Sequence, residues 1–125
     1  MQIQGELQEQ IMTVLWRSGP GTVEQVRSGL PSRYRGAYTT VQTVLNRLAG
    51  RGLLDRERVG QAMVYTPSLS EAEYVSREVR RTLNSASAAA RQAALAQLVG
   101  EFEPDADELT ALAREAEQRR GGRRA

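Results

Sequence analysis

The stretch Ala37-Tyr-Thr-Thr-Val-Gln-Thr-Val-Leu-Asn-Arg-Leu-Ala-Gly-Arg-Gly-Leu-Leu54 carries two patterns on one helical period. Val41, Val44, Leu45 and Leu48 recur at i, i+3, i+4 and i+7, the spacing of a helix face turned to a core. The opposite face displays Thr39, Gln42, Thr43, Asn46 and Arg47, with no acidic residue among them. A solvated helix face ordinarily mixes Glu with basic residues. This one has the chemistry of base reading: Gln and Asn can pair with adenine, Arg with guanine, and Thr methyls can meet thymine methyls. Gly50 and Gly52 end the helix.

Two shorter helices precede it. Leu7, Ile11, Val14 and Leu15 form one face of a helix over residues 6–17, stopped by Ser18-Gly19-Pro20-Gly21. Trp16 reads as a core residue. Thr22 and Gln25 have the spacing of a capping box, opening a second helix that buries Val23, Val26 and Leu30 and closes at Pro31. The loop after it, residues 32–36, carries Arg33 and Arg35. Beyond the third helix, residues 53–59 and 62–67 read as two strands around a Gly60-Gln61 turn. Arg56 and Arg58 fall on one face of that hairpin, positioned to touch a sugar-phosphate backbone.

The second half has a different composition. Large apolar residues number 23 in residues 1–67 and 11 in residues 68–125. The first part can close a core, whereas the second cannot offset its chain entropy alone, so its apolar stripes call for a partner. Dimerisation is the simplest source of one. The stripes are Val75, Val79 and Leu83 behind a Ser70/Glu73 cap, then Leu95, Leu98, Val99 and Phe102, then Leu109 and Leu112. Residues 84–90 are small and polar and mark a bend or break. The chain therefore divides into 1–67 and a helical region 68–120, with 121–125 as a disordered tail.

Composition removes several functions. The chain has no Cys, no His and no Lys, and all 17 basic residues are Arg. A thiolate metal site, a histidine general base, a Schiff-base lysine and a P-loop lysine are excluded together. The acids Glu101, Glu103, Asp105, Asp107 and Glu108 lack the spacing of a calcium loop and read as a solvated helix start. No cofactor is expected. No apolar run approaches the roughly 20 residues of a membrane span, and the N-terminus lacks a signal-peptide layout, so a cytoplasmic protein without membrane insertion is expected. The net charge of +2 is small, but six Arg (33, 35, 47, 51, 56 and 58) crowd into residues 33–58 against Asp55 and Glu57.

Three helices followed by a two-stranded wing is the order of a winged helix-turn-helix. The expected fold is mainly α with a small β-hairpin wing, followed by a three-helix dimerisation region. The Ala37–Leu54 stretch, with Ile11-Met-Thr-Val-Leu-Trp16 and Val64-Tyr-Thr-Pro67, resembles the penicillinase-repressor family, the BlaI/MecI/CopY regulators. The similarity runs over essentially the whole chain. It implies a homodimeric transcriptional repressor of double-stranded DNA, with operators that are inverted repeats of TACA/TGTA-like half-sites. By position, Thr40, Gln42, Thr43, Asn46 and Arg47 would meet the operator, while Thr22, Arg56, Arg58 and Gln61 would hold phosphates. Arg33, Arg35 and Arg51 complete the candidate backbone contacts. The resemblance also implies a membrane sensor-protease that answers β-lactam or envelope stress by cutting the dimerisation helices. The matching region is Leu98-Val-Gly-Glu-Phe102, with Glu101 and Phe102 at the candidate bond and Glu101 where well-known members carry Asn. The copper-responsive branch ends in a cysteine cluster, which this chain lacks. Two other readings predict different features: a protein-interaction module needs an apolar third helix, and a ligand-gated regulator needs a pocket around Trp16, Tyr65 or Tyr74.

Overall fold

A computed structural model describes residues 2–102 and 105–124. The elements are α1 (Glu6–Ser18), α2 (Val23–Gly29), a 3-10 turn (Ser32–Tyr34), α3 (Tyr38–Gly50), β1 (Leu54–Val59), β2 (Ala62–Pro67), α4 (Glu71–Ser85), α5 (Ala88–Phe102) and α6 (Ala106–Arg124). They form two compact units, one running through Arg80 and one starting at Arg81.

The core of the first unit is built from the stripes the sequence displays. Ile11 and Leu15 of α1, Val23 and Val26 of α2, and Val41, Val44, Leu45 and Leu48 of α3 are buried. Leu30, Leu53, Leu54 and Tyr65 close it. Met12, which the α1 face did not include, is completely buried. Trp16, expected in the core, is half-buried: its indole Nε1 donates to the Leu69 carbonyl at 3.0 Å, and its ring tilts against Tyr74 at 5.6 Å. A large ring with one polar atom settles at a core margin where that atom finds a partner.

Helix ends follow local chemistry. Thr22 Oγ1 accepts the Gln25 amide at 3.2 Å and Gln25 Oε1 accepts the Thr22 amide at 2.9 Å, a complete capping box. The third helix ends in a Schellman motif: Leu53 N donates to Leu48 O and Gly52 N to Ala49 O. The motif requires a left-handed residue, supplied by Gly52 at φ 83°. Gly60, at φ 64°, does the same for the hairpin turn.

The two strands pair antiparallel with Arg56 opposite Tyr65 and Arg58 opposite Met63. Tyr65 also pairs with Gly21 on its other side, donating to Gly21 O at 2.8 Å and accepting from Gly21 N at 3.0 Å. The Gly19-Pro20-Gly21 segment, legible in the sequence only as a helix stop, therefore ties the hairpin to the α1–α2 connection. That pairing fixes the hairpin on the helical core, since a two-stranded ribbon alone is marginal.

This unit takes in the start of α4, past the boundary at residue 67 drawn from composition. Tyr74 Oη accepts the Ile3 amide at 2.8 Å, and Leu69 is buried. Ser70 caps α4 by accepting the Glu73 amide at 3.0 Å.

The second unit holds the end of α4 with α5 and α6. The small, polar stretch 84–90 is a break: α4 stops at Ser85, and Ser87 Oγ caps α5 by accepting the Ala90 amide at 3.1 Å. Asp105 caps α6 in the same way, accepting the Glu108 amide at 2.7 Å. That gives one acid of the expected cluster a structural role, while Glu103 lies outside the described residues. The tail expected at 121–125 is helical over residues 121–124, because α6 runs to Arg124. The pairs Glu115–Arg119 and Glu117–Arg120, at i,i+4 and i,i+3, brace its last turns, and a basic C-terminal turn suits the helix dipole.

No α4 or α5 residue is buried in the single chain. Within the first unit Val75 and Val79 are exposed, and within the second so are Leu95, Leu98, Val99, Phe102, Leu109 and Leu112. Leu83 is half-buried. Among the described residues, no helix is long and apolar enough to cross a membrane.

Candidate nucleic-acid interface

The outward face of α3 is as the sequence periodicity places it. Thr39, Thr40, Gln42, Thr43 and Arg47 are exposed and Asn46 is half-buried. Thr43 Oγ1 donates back to the Thr39 carbonyl at 2.8 Å. Its proton is thus committed to the helix, and the methyl with the remaining lone pair faces outward.

A groove of about 440 Å³ lies between α2, α3 and the hairpin. Gln42 and Asn46 line it from α3, Arg56 and Arg58 from β1, Gln61 from the turn, and Thr22 from the start of α2. Six residues expected at a DNA face, drawn from three parts of the chain, therefore share one concavity. Arg58 and Gln61 are exposed. Arg56 Nη1 donates to Asn46 Oδ1 at 2.8 Å, and Tyr65 Oη donates to the same oxygen at 2.7 Å. Tyr65 is 2% exposed, and burial raises its phenol above the ordinary value, opposed by the Arg56 guanidinium.

Four arginines of the basic stretch do not line this groove: Arg47, exposed on α3, and three that find partners elsewhere in the fold. Arg35 spans the end of α2, donating to Leu30 O at 2.9 Å and Ser28 O at 3.2 Å. Arg51 turns to the N-terminal segment, donating to Gln8 Oε1 at 3.1 Å and to the Gln2 carbonyl. Arg33 lies 3.9 Å from Glu6 and stacks over the Tyr34 ring at 4.8 Å. Tyr34 in turn donates to Glu6 at 3.0 Å, which raises its phenol pKa. For Arg35 and Arg51 the physical reason is the same: free carbonyl oxygens close by in the fold capture a guanidinium that sequence counting leaves unassigned. Arg33 is paired loosely and stays 75% exposed. The positive charge of residues 33–58 is therefore split, with Arg47, Arg56 and Arg58 left on the α3–hairpin side.

Tyr38, Glu24 and Met63 also line the groove, and sequence reading did not mark them. Tyr38 was legible, because Tyr38, Gln42 and Asn46 stand at four-residue steps on one helix face. Glu24 brings a carboxylate to a basic groove, but Arg27 neutralises it at 3.3 Å and Ser28 Oγ donates to it at 3.4 Å. Nothing in the periodicity of α2 announces that placement. Of the rings suggested for a ligand pocket, Trp16 and Tyr74 pack on each other and spend their polar atoms on Leu69 and Ile3.

A three-helix core with a polar-faced third helix, and a basic hairpin beside it, defines a winged-helix DNA-binding regulator. The chain belongs to the penicillinase repressor family, whose model matches residues 4–118. It is 40% identical over 112 residues to the transcriptional regulator BlaI of Mycobacterium tuberculosis, covering 88% of this chain and 80% of that one. It is 29% identical over 75 residues to the penicillinase repressor of Bacillus licheniformis, covering 60% of this chain and 59% of that one. Its fold is similar to the solution structure of the DNA binding domain of the repressor BlaI, with a TM-score of 0.50 and 28% identity over 58% of this chain and 92% of that one. The family and these relatives are transcriptional repressors and regulators, not enzymes.

Proposed function

We propose that the protein is a homodimeric, sequence-specific repressor of an inverted-repeat operator, with α3 in the major groove and the hairpin along the phosphate backbone. The observation that carries this reading is the acid-free, exposed face of α3 beside Arg56 and Arg58. Thr39, Thr40, Gln42, Thr43, Asn46 and Arg47 are the base-facing set, and Thr22, Arg58, Gln61 and Arg56, the last through the N–H groups not spent on Asn46, hold phosphates. Arg33 stays in the backbone set as an exposed side chain, while Arg35 and Arg51 are spent on carbonyl oxygens within the fold.

Two copies are part of the reading. Val75, Val79, Leu95, Leu98, Val99, Phe102, Leu109 and Leu112 are too many exposed apolar side chains for a helical region to leave in water. A symmetric pair covers them and makes the operator a palindrome, with half-sites about one or more turns of ~10 bp apart. Release by a membrane sensor-protease at Glu101–Phe102, with genes of β-lactam or envelope stress as targets, completes the proposal. Phe102 is the last residue of α5 and 74% exposed in the single chain.

The test is fluorescence anisotropy with duplexes bearing TACA/TGTA inverted repeats or the same bases shuffled. The repeat should bind more tightly, and Gln42→Ala should reduce that preference by about 1–3 kcal/mol per half-site contact. Equal binding of the two duplexes by the wild-type chain overturns sequence-specific recognition.

A further inference from the structure

Asn46 is anchored in a way that limits what it can offer to a base. Its Oδ1 lies 2.8 Å from Arg56 Nη1 and 2.7 Å from Tyr65 Oη. A guanidinium carries donors only, so the amide atom that faces it is the oxygen. The Tyr65 hydroxyl, meeting an acceptor, is then a donor too. A carbonyl oxygen has two lone pairs, and both are taken. What remains is Nδ2 with its two N–H groups, which make no hydrogen bond among the described residues.

The anchors are themselves held. Arg56 and Tyr65 are directly opposite in the ladder, so the hairpin register brings both donors to one face. Tyr65 is 2% exposed and bonded through its backbone to Gly21 on the far side. Asn46 lines the groove one helical turn after Gln42, so its free donors belong to the surface already described.

Bidentate recognition of adenine requires an amide oxygen to accept from N6 while the nitrogen donates to N7. Asn46 has no lone pair left for that. We propose that Asn46 is a donor-only specificity residue, selecting at its place in each half-site guanine, whose major-groove edge presents two acceptors, N7 and O6, over adenine and thymine, which present one acceptor each. Arg56 and Tyr65 are the positioning residues that set this polarity. The adenine pairing open to Asn in the bare sequence then falls to Gln42, whose amide has no partner among the described residues. The inference rests on the reading that α3 enters the major groove.

Selection from a random-sequence duplex library tests it, using the full chain as wild type, Asn46→Ala and Tyr65→Phe, each checked for folding by its thermal melt. The wild type should enrich a motif in which one position per half-site is confined to guanine. Asn46→Ala should level that position, a loss of about tenfold in discrimination, and keep the others. Tyr65→Phe should admit adenine there, because one lone pair of Oδ1 is freed to accept from N6. A readout confined to one position separates this role from a merely structural one, which would weaken every position together. The inference is overturned if Asn46→Ala enriches the wild-type motif, or if the position it levels prefers adenine or thymine in the wild type. It is equally overturned if Tyr65→Phe weakens all positions uniformly, and this variant decides the matter should Asn46→Ala fail to fold. A wild type that enriches no motif overturns the DNA-binding reading itself, and this inference with it.

Discussion

Asn46 on α3 and Tyr65 on β2, nineteen residues apart, meet through a 2.7 Å hydrogen bond that joins the helix to the hairpin. Arg56, opposite Tyr65 in the ladder, adds a second bond to the same oxygen. The hairpin is thereby positioned by side chains of the surface it flanks, in addition to its backbone pairing with Gly21. Changes at this junction should register in both stability and recognition, whereas changes at arginines outside it should register in one alone.

Arg58 isolates the electrostatic part. It is exposed, lines the groove and has no partner among the described residues, so its charge is available to a phosphate. Arg58→Ala should lower the slope of log affinity against log salt by about one unit while leaving base preference intact. Arg51→Ala should leave the slope unchanged, because that guanidinium is spent on Gln8 and Gln2. Anisotropy titrations over a salt series check both, and a slope change in Arg51→Ala alone would reverse the assignment.

Alkaline pH should destabilise the first unit through Tyr65. Its phenol titrates above the ordinary value of 10.0 in the folded chain because it is buried. A group whose folded pKa is raised contributes stability that is complete below the unfolded pKa and lost as pH rises through the folded one. Urea unfolding should therefore show stability flat near neutrality and falling above about pH 10. Tyr65→Phe should flatten part of that fall. The chain has neither Lys nor Cys, so tyrosine is the side-chain type that titrates in that window, and Tyr34, raised by its bond to Glu6, accounts for part of the fall that Tyr65→Phe leaves.

Loss of the α2 cap should cost stability in a chemically specific way. Thr22→Ala removes the hydroxyl that accepts the Gln25 amide and should lower unfolding free energy by about 1 kcal/mol. Thr22→Ser keeps the oxygen and should stay close to wild type. Denaturant melts of the two variants are the check, and equal losses would mean that the methyl group, not the cap, matters there.

Charge placed on the helical region should separate two copies without unfolding the winged-helix unit. Val99 is 62% exposed and Leu112 56% exposed in the single chain. Val99→Glu or Leu112→Glu should shift light-scattering mass from dimer to monomer and weaken operator binding, with Trp16 fluorescence unchanged. A wild-type chain that is monomeric at micromolar concentration would remove dimerisation from the proposal.

The helices, their caps and the hairpin were legible because each is written in local chemistry. Val41, Val44, Leu45 and Leu48 declare a buried stripe within eight residues, Thr22 and Gln25 a cap within four, and Gly60-Gln61 a turn within two. The polar face of α3 follows from the same period, since exposing one side of a helix is the complement of burying the other.

What the sequence could not decide is which polar atoms remain free. Arg35, Arg51 and Arg56 are equivalent as letters, yet one caps a helix end, one anchors the N-terminal segment and one holds Asn46. Each partner lies several to tens of residues away, and no periodicity encodes contacts at that range. Tyr65 likewise read as a strand residue or as a ring of a ligand pocket, and only the Gly21 bridge and the strand register bring its hydroxyl to Asn46. Local pattern determined the elements and the composition of the α3 face. Tertiary packing decided which donors and acceptors on that face are already satisfied, because a hydrogen bond needs its two atoms within about 3 Å and only the folded chain brings them there.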